Sequence, residues 1–206
     1  RYNGYLGLAR VKLSMADTSN AVDYLNIYKS KALKDKMYES VADAYALLAQ
    51  IEDIRDRDLA HEYYQKSYDY SMKSYSDIYR SNAMTNSAIL KFDLGETEQA
   101  RALFMGALKL REKVRNSKAV VESLYNLGSF ELMMNQRKSA LNYIRQSIDL
   151  AKYAGLIQEQ VDGYAFLEEN FYDNLSESDR LEMQKLNDER VNADGNFDAV
   201  QLLKLS

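Results

Sequence analysis

Residues 121–150, VESLYNLGSFELMMNQRKSALNYIRQSIDL, decide the fold. They read as two amphipathic helices joined by a short polar turn. Leu124, Leu127, Gly128, Phe130 and Leu132 mark the first helix, and Ala140, Leu141, Ile144 and Ile148 the second. Their three- and four-residue steps gather apolar side chains on one helical face, whereas a strand would alternate them. Gly128 and Ala140 are small where two helix backbones must come close. A hairpin of this length leaves its apolar stripes uncovered unless copies of itself stack against it.

The chain supplies those copies. Displaced by 40 residues against itself, it aligns Ala60, Ala100 and Ala140, with Ala21 one residue short of the phase. Leu25, Tyr64, Phe104 and Ile144 follow one turn later, and Tyr28, Ser67, Ala107 and Ser147 three residues beyond them. On the preceding helix Val41, Ser81, Val121 and Val161 share a phase, as do Leu48, Ala88 and Gly128. A repeat of this length implies an array of helix hairpins. The units fall at 2–36, 37–76, 77–116, 117–156 and from 157 onward. Between paired helices, Asp17, Thr18, Ser19 and Asn20 suit a helix start, Gly95 suits a left-handed turn and Thr97 an N-cap.

The last unit departs from the pattern. Val161, Tyr164, Leu167 and Phe171 keep the phase, but the helix from Ser178 is charged on most faces and has Arg180 where the other units have alanine. That suits an end cap facing water on one side. A repeat domain over 1–175 is therefore followed by a capping helix and tail over 176–206. Beyond Val191, NADGNFDAVQLLKLS reads as turn residues before a short apolar helix.

Composition limits the function. With 206 residues, 46% hydrophobic and 28% charged, the chain can bury a sizeable core. A net charge of −4 argues against a nucleic-acid or anionic-membrane surface. Zero proline and eight glycines point to long unbroken helices. Zero cysteine removes disulfides, thiolate metal sites and cysteine nucleophiles. No apolar run approaches the ~20 residues of a membrane-spanning helix. His61 is the only histidine and has no clustered partner, and there is neither a Gly-rich phosphate loop nor a Gly-x-Ser-x-Gly motif. No catalytic residue, cofactor or metal is expected. A chain that starts at Arg1 reads as a piece excised from a longer protein.

The small–large–small pattern resembles the tetratricopeptide repeat. Leu127-Gly128 with Ala140, Ile144 and Ser147 follows that family's signature, as do Gly95, Ala100, Phe104 and Ala107. The family's large residue in the first helix is taken by Tyr5, Ala44, Met84 and Leu124, and its closing proline is absent. The resemblance implies an all-α, right-handed superhelix of five hairpins whose first helices line a concave groove. Carried over position by position, the groove holds Tyr45 from the second unit and Asn82, Asn86 and Phe92 from the third. Tyr125, Asn126, Ser129 and Met133 follow from the fourth, then Asp162, Glu169 and Tyr172 from the fifth.

Asn86 and Asn126 occupy one position in consecutive units, and a side-chain amide can hold both N–H and C=O of an extended peptide. Repeats this long are similar to those in sensor regions of bacterial histidine kinases and related regulators. That implies a non-catalytic peptide- or protein-binding module outside the cytoplasmic membrane, with a structural, self-associating dimer module as the alternative.

Overall fold

The computed structural model describes residues 3–188, so the tail expected beyond Val191 lies outside the described residues. Among the described residues the chain is all α-helical. Helices α1 (Asn3–Ser14) and α2 (Thr18–Lys34) form the first hairpin, α3 (Tyr38–Glu52) and α4 (Arg57–Ser71) the second, and α5 (Asp77–Asp93) and α6 (Thr97–Val114) the third. The fourth comprises α7 (Ser117–Met133) and α8 (Arg137–Tyr153). Helix α9 (Ile157–Asn170) then leads through a 3-10 turn, Tyr172–Asn174, into α10 over 177–188. The chain divides after Arg115 into two compact units.

In the first unit each helix packs on the next from α1 to α6, and in the second α7 packs on α8 and α8 on α9. The alanines predicted at one phase, Ala21, Ala60, Ala100 and Ala140, are all fully buried. The reason shows at Gly128, where a Cβ would lie 2.6 Å from Ile144 Cδ1 and 3.3 Å from the Ala140 carbonyl oxygen. Gly163 repeats the arrangement between α9 and α8, its Cβ position lying 2.5 Å from Ile148 Cγ1. The second unit's core gathers Ile144 and Ile148 with Tyr164, Leu167, Phe171 and Leu186, the last from α10.

One device ends five of the helices. After α1, α2, α5, α7 and α8 a residue with positive φ (Ala16, Lys36, Gly95, Asn135, Gly155) is followed by a backbone N–H that reaches five residues back. Glu96 N donates to Lys91 O at 2.8 Å and Gln136 N to Glu131 O at 2.8 Å. This is the Schellman arrangement, which satisfies carbonyls that the helix leaves unpaired. Gly95 therefore does what the sequence suggested. Thr97 does not: Glu96 holds the cap position of α6, without a side-chain cap bond. Asp17 caps α2, accepting from Asn20 N at 3.4 Å.

The turn between α3 and α4 differs. It has four residues, 53–56, without a positive φ, and closes through Asp56 N to Glu52 O at 2.7 Å. The corresponding turns 15–17, 94–96 and 134–136 have three. Counted between equivalent positions, however, Ala49 to Ala60 spans 11 residues where Gly128 to Ala140 spans 12, so the connection is one residue shorter and the alignment of α3 advances by one. Tyr45, rather than Ala44, therefore holds the large-residue position of Tyr5, Met84 and Leu124, and Leu48-Ala49 aligns with Leu127-Gly128.

Replacing Gly128 by alanine forces Ile144 out of its rotamer. We expect a loss of about 1–3 kcal/mol in urea unfolding, partly restored by adding Ile144→Val. Equal stability of Gly128→Ala and wild type would show that the two helices are not in close contact.

Candidate functional site

In the second unit α7 and α9 flank a cleft of about 500 Å³ backed by α8. Tyr125 from α7 and Phe166 from α9 meet edge to face inside it, with ring centroids 5.4 Å apart at 71°. Half-buried Asn126 lies beside Tyr125. Glu122, Asp162 and Glu169 line the exposed side, one helical stripe from each flanking helix. Fully buried Ser147 from α8 forms the floor.

The cleft is negatively charged. Of its four carboxylates Glu159 is ion-paired, 2.8 Å from Lys118, and this hydrogen bond holds Glu159 below the usual carboxylate range. Asp162 accepts from Gln158 Nε2 at 2.8 Å, a neutral donor. Burial, reinforced by Asp162 and Glu169, pushes the Tyr125 phenol up, so it stays protonated at neutral pH.

Two polar groups in this cleft have no partner. Among the described residues the Asn126 amide makes no hydrogen bond. Ser147 Oγ is buried and also unpaired. The contrast with Ser67 at the same repeat position is informative, because Ser67 Oγ donates to Ala42 O at 2.9 Å.

The first unit holds Asn86 in a smaller recess with Ile89, Asp93, Asp53, Tyr64 and His61. Among the described residues the Asn86 amide is likewise without a hydrogen bond. Asn82, one turn earlier, is engaged: its Oδ1 accepts from Arg111 at 2.9 Å. Phe92 is half-buried outside the recess. Along α7, Ser129 is half-buried and Met133 is 61% exposed, both outside the α7–α9 cleft.

Two expected groove residues lie elsewhere. The Tyr45 ring packs inside the second hairpin, 5.8 Å from Tyr63 and stacked at 5.7 Å on Tyr70, both on α4. Tyr5 meets Tyr24 in the same way in the first hairpin. The one-residue-shorter step from α3 to α4 accompanies the shift of Tyr45. Lysines of the chain already occupy these rings, Lys29 4.8 Å from Tyr45 and Lys73 4.5 Å from Tyr70. Tyr172 stands on the 3-10 turn beneath the Arg180 guanidinium, 4.9 Å away.

Phe166, Ser147 and Glu159 complete the cleft and were not among the expected groove residues. The period carries a signal for one of them, since Phe166 stands at the phase of Asn86 and Asn126. Ser147 reads from sequence only as a small packing residue.

The capping helix is held to α8 by charge. Arg145 makes a two-bond fork to Asp179, 2.9 Å at each oxygen, and also donates to Asn174 O at 2.8 Å. Ser176 N and Oγ donate to the same carboxylate at 2.9 and 2.7 Å. Asp179 is 8% exposed, so what reads in sequence as an exposed helix charge is a buried anchor.

Short antiparallel helices in tandem, with small residues at their crossings, define a helical-repeat protein. Residues 79–152 match the family model of the tetratricopeptide repeat. Solved structures agree in fold. Aspartyl phosphate phosphatase F from Bacillus subtilis superposes with a TM-score of 0.70 at 15% identity, over 91% of this chain and 49% of its own. The present chain thus spans about half of that phosphatase. A kinesin-light-chain-type protein of Podosopora anserina with nearly identical TPR-like repeats gives a TM-score of 0.61 at 16% identity, over 93% and 92% of the two chains. BtubC from P. vanneervenii gives 0.56 at 16% identity, over 95% and 89%. No curated protein matches the sequence. Among the described residues no helix is long and apolar enough to cross a membrane.

Arg145, with smaller help from Ser176, holds the Asp179 carboxyl well below its ordinary value, against the opposing effect of burial. A folded-state value below the unfolded one of about 3.9 contributes stability above that pH, and the contribution disappears as pH falls through the folded value. Wild type should therefore exceed Asp179→Asn in stability at pH 7, with the gap narrowing below about pH 4. Thermal melts across that range check this, and a pH-independent gap would contradict it.

Proposed function

We propose that this chain is a non-catalytic peptide- or protein-binding module, the sensor or interaction part of a larger signal-transduction protein. The tetratricopeptide fold is an interaction fold, which supports the general reading. The unpaired amides of Asn86 and Asn126 support the particular one. They stand at one repeat position on first helices and line the recess and the cleft respectively. A partly buried amide that satisfies none of its bonds within the chain is available to a backbone N–H and C=O of an extended segment. Tyr125 and Phe166 beside Asn126 offer apolar area that loses little side-chain freedom on binding.

Signalling is suggested by the length of the repeat. The fold likeness to a phosphatase at 15% identity carries no substrate to this chain.

The purified chain displayed against a peptide array tests the reading. Wild type should bind a subset of peptides, and Asn86→Ala with Asn126→Ala should weaken that binding roughly tenfold or more, since each net hydrogen bond contributes about 1 kcal/mol. Gln65→Ala on the exposed face of α4 should leave it unchanged. Binding that survives the double substitution would remove the asparagine model. A stable dimer in light scattering, with both asparagines dispensable, would put self-association in its place.

A further inference from the structure

We infer that the α7–α9 cleft is a subsite for the lysine or arginine side chain of a basic peptide segment; this rests on the reading of the Asn126 face as peptide-binding. Four carboxylates line the cleft, and only Glu159 is ion-paired. Helix α9 carries no lysine or arginine, so none of the remaining charge is met from that side. An anionic segment would be repelled here, and a neutral one would leave the charges unused.

The floor and walls add geometry to the charge. Tyr125 and Phe166 form an apolar flank on which the methylene stem of a long cationic side chain can lie, with the ring face open to cation–π attraction. At the bottom Ser147 Oγ is fully buried without a partner, although Ser67 at the equivalent position donates to a carbonyl. An unpaired buried hydroxyl is costly unless something arrives to bond it. An ammonium or guanidinium N–H is such a donor, with Asp162 and Glu169 above it as counter-charges. The tyrosine column of the second hairpin is built from the same residue types, but there the chain's own Lys29 and Lys73 already cover the rings. In the α7–α9 cleft no lysine or arginine of the described chain lies over Tyr125 or Phe166.

Two fluorescein-labelled dodecapeptides of alternating sequence test this, one Ala-Lys and one Ala-Gln, titrated into the full chain by fluorescence anisotropy. The lysine peptide should bind at least tenfold tighter, weaken as salt rises, and shift backbone amide resonances of α7 and α9 in an ¹⁵N-labelled sample. Asp162→Asn with Glu169→Gln should reduce lysine-peptide affinity at least tenfold, while the charge-matched Glu98→Gln with Glu112→Gln on α6 should not. Ser147→Ala, which removes only the hydroxyl, should weaken the lysine peptide several-fold and leave the glutamine peptide unchanged. Equal affinity for the two peptides, no binding of the lysine peptide, or resonance shifts confined to other helices would overturn the inference. If both peptides bind equally and both need Asn126, the basic specificity falls and the peptide-binding reading stands. If lysine-peptide binding needs the carboxylates but ignores Asn126→Ala, the cation subsite stands and the backbone clamp falls.

Discussion

The structure depends on how closely two helices of one hairpin can approach. Gly128 lies against Ile144 and the Ala140 carbonyl with no room for a methyl group, and Gly163 lies against Ile148 in the same manner. Close approach lets the flanking large residues, Leu127 and Ile144 among them, interlock to the density of a protein interior. Hairpins built this way have two flat apolar faces, so each also demands a neighbour. Repetition of the sequence and stacking within each unit follow from that one constraint.

The turns then fix which residue of a first helix faces where. Schellman closures after five helices give the same exit geometry whether glycine, asparagine, alanine or lysine takes the left-handed position. A connection one residue shorter between equivalent positions of α3 and α4 breaks the sameness. It shifts the register of α3 by one position and sets Tyr45 against Tyr63 and Tyr70. In the second hairpin Tyr45, Tyr63 and Tyr70 pack on one another. The second unit turns Tyr125 and Phe166 into a cleft.

That cleft combines features that a core would not tolerate together: clustered carboxylates, an amide without partners and a buried hydroxyl without partners. Packing asks for a small residue at both positions; Ser67 Oγ also has a carbonyl to bond, and Ser147 Oγ has none. At the other side of the same unit, charge is used structurally. Arg145 satisfies Asp179 and a loop carbonyl together, which adds to the apolar contact of Leu186 in tying the capping helix down.

The amino-acid sequence by itself determined the hairpins, their period, the tetratricopeptide class and the small residues at the crossings, because helical periodicity and residue size are local properties. It also placed Tyr125, Asn126, Asp162 and Glu169 on first-helix positions, which the structure brings to one cleft. Tertiary structure decided the rest. A fixed 40-residue step cannot see a one-residue change between two helices, so Tyr45 packs against α4 instead of lining the groove. Nor can it see which polar atoms go unpaired or which charges find partners, since hydrogen bonding and ion pairing depend on distances between separate helices. The empty amide of Asn126, the unsatisfied hydroxyl of Ser147 and the buried fork between Arg145 and Asp179 exist only once α7, α8, α9 and α10 are packed.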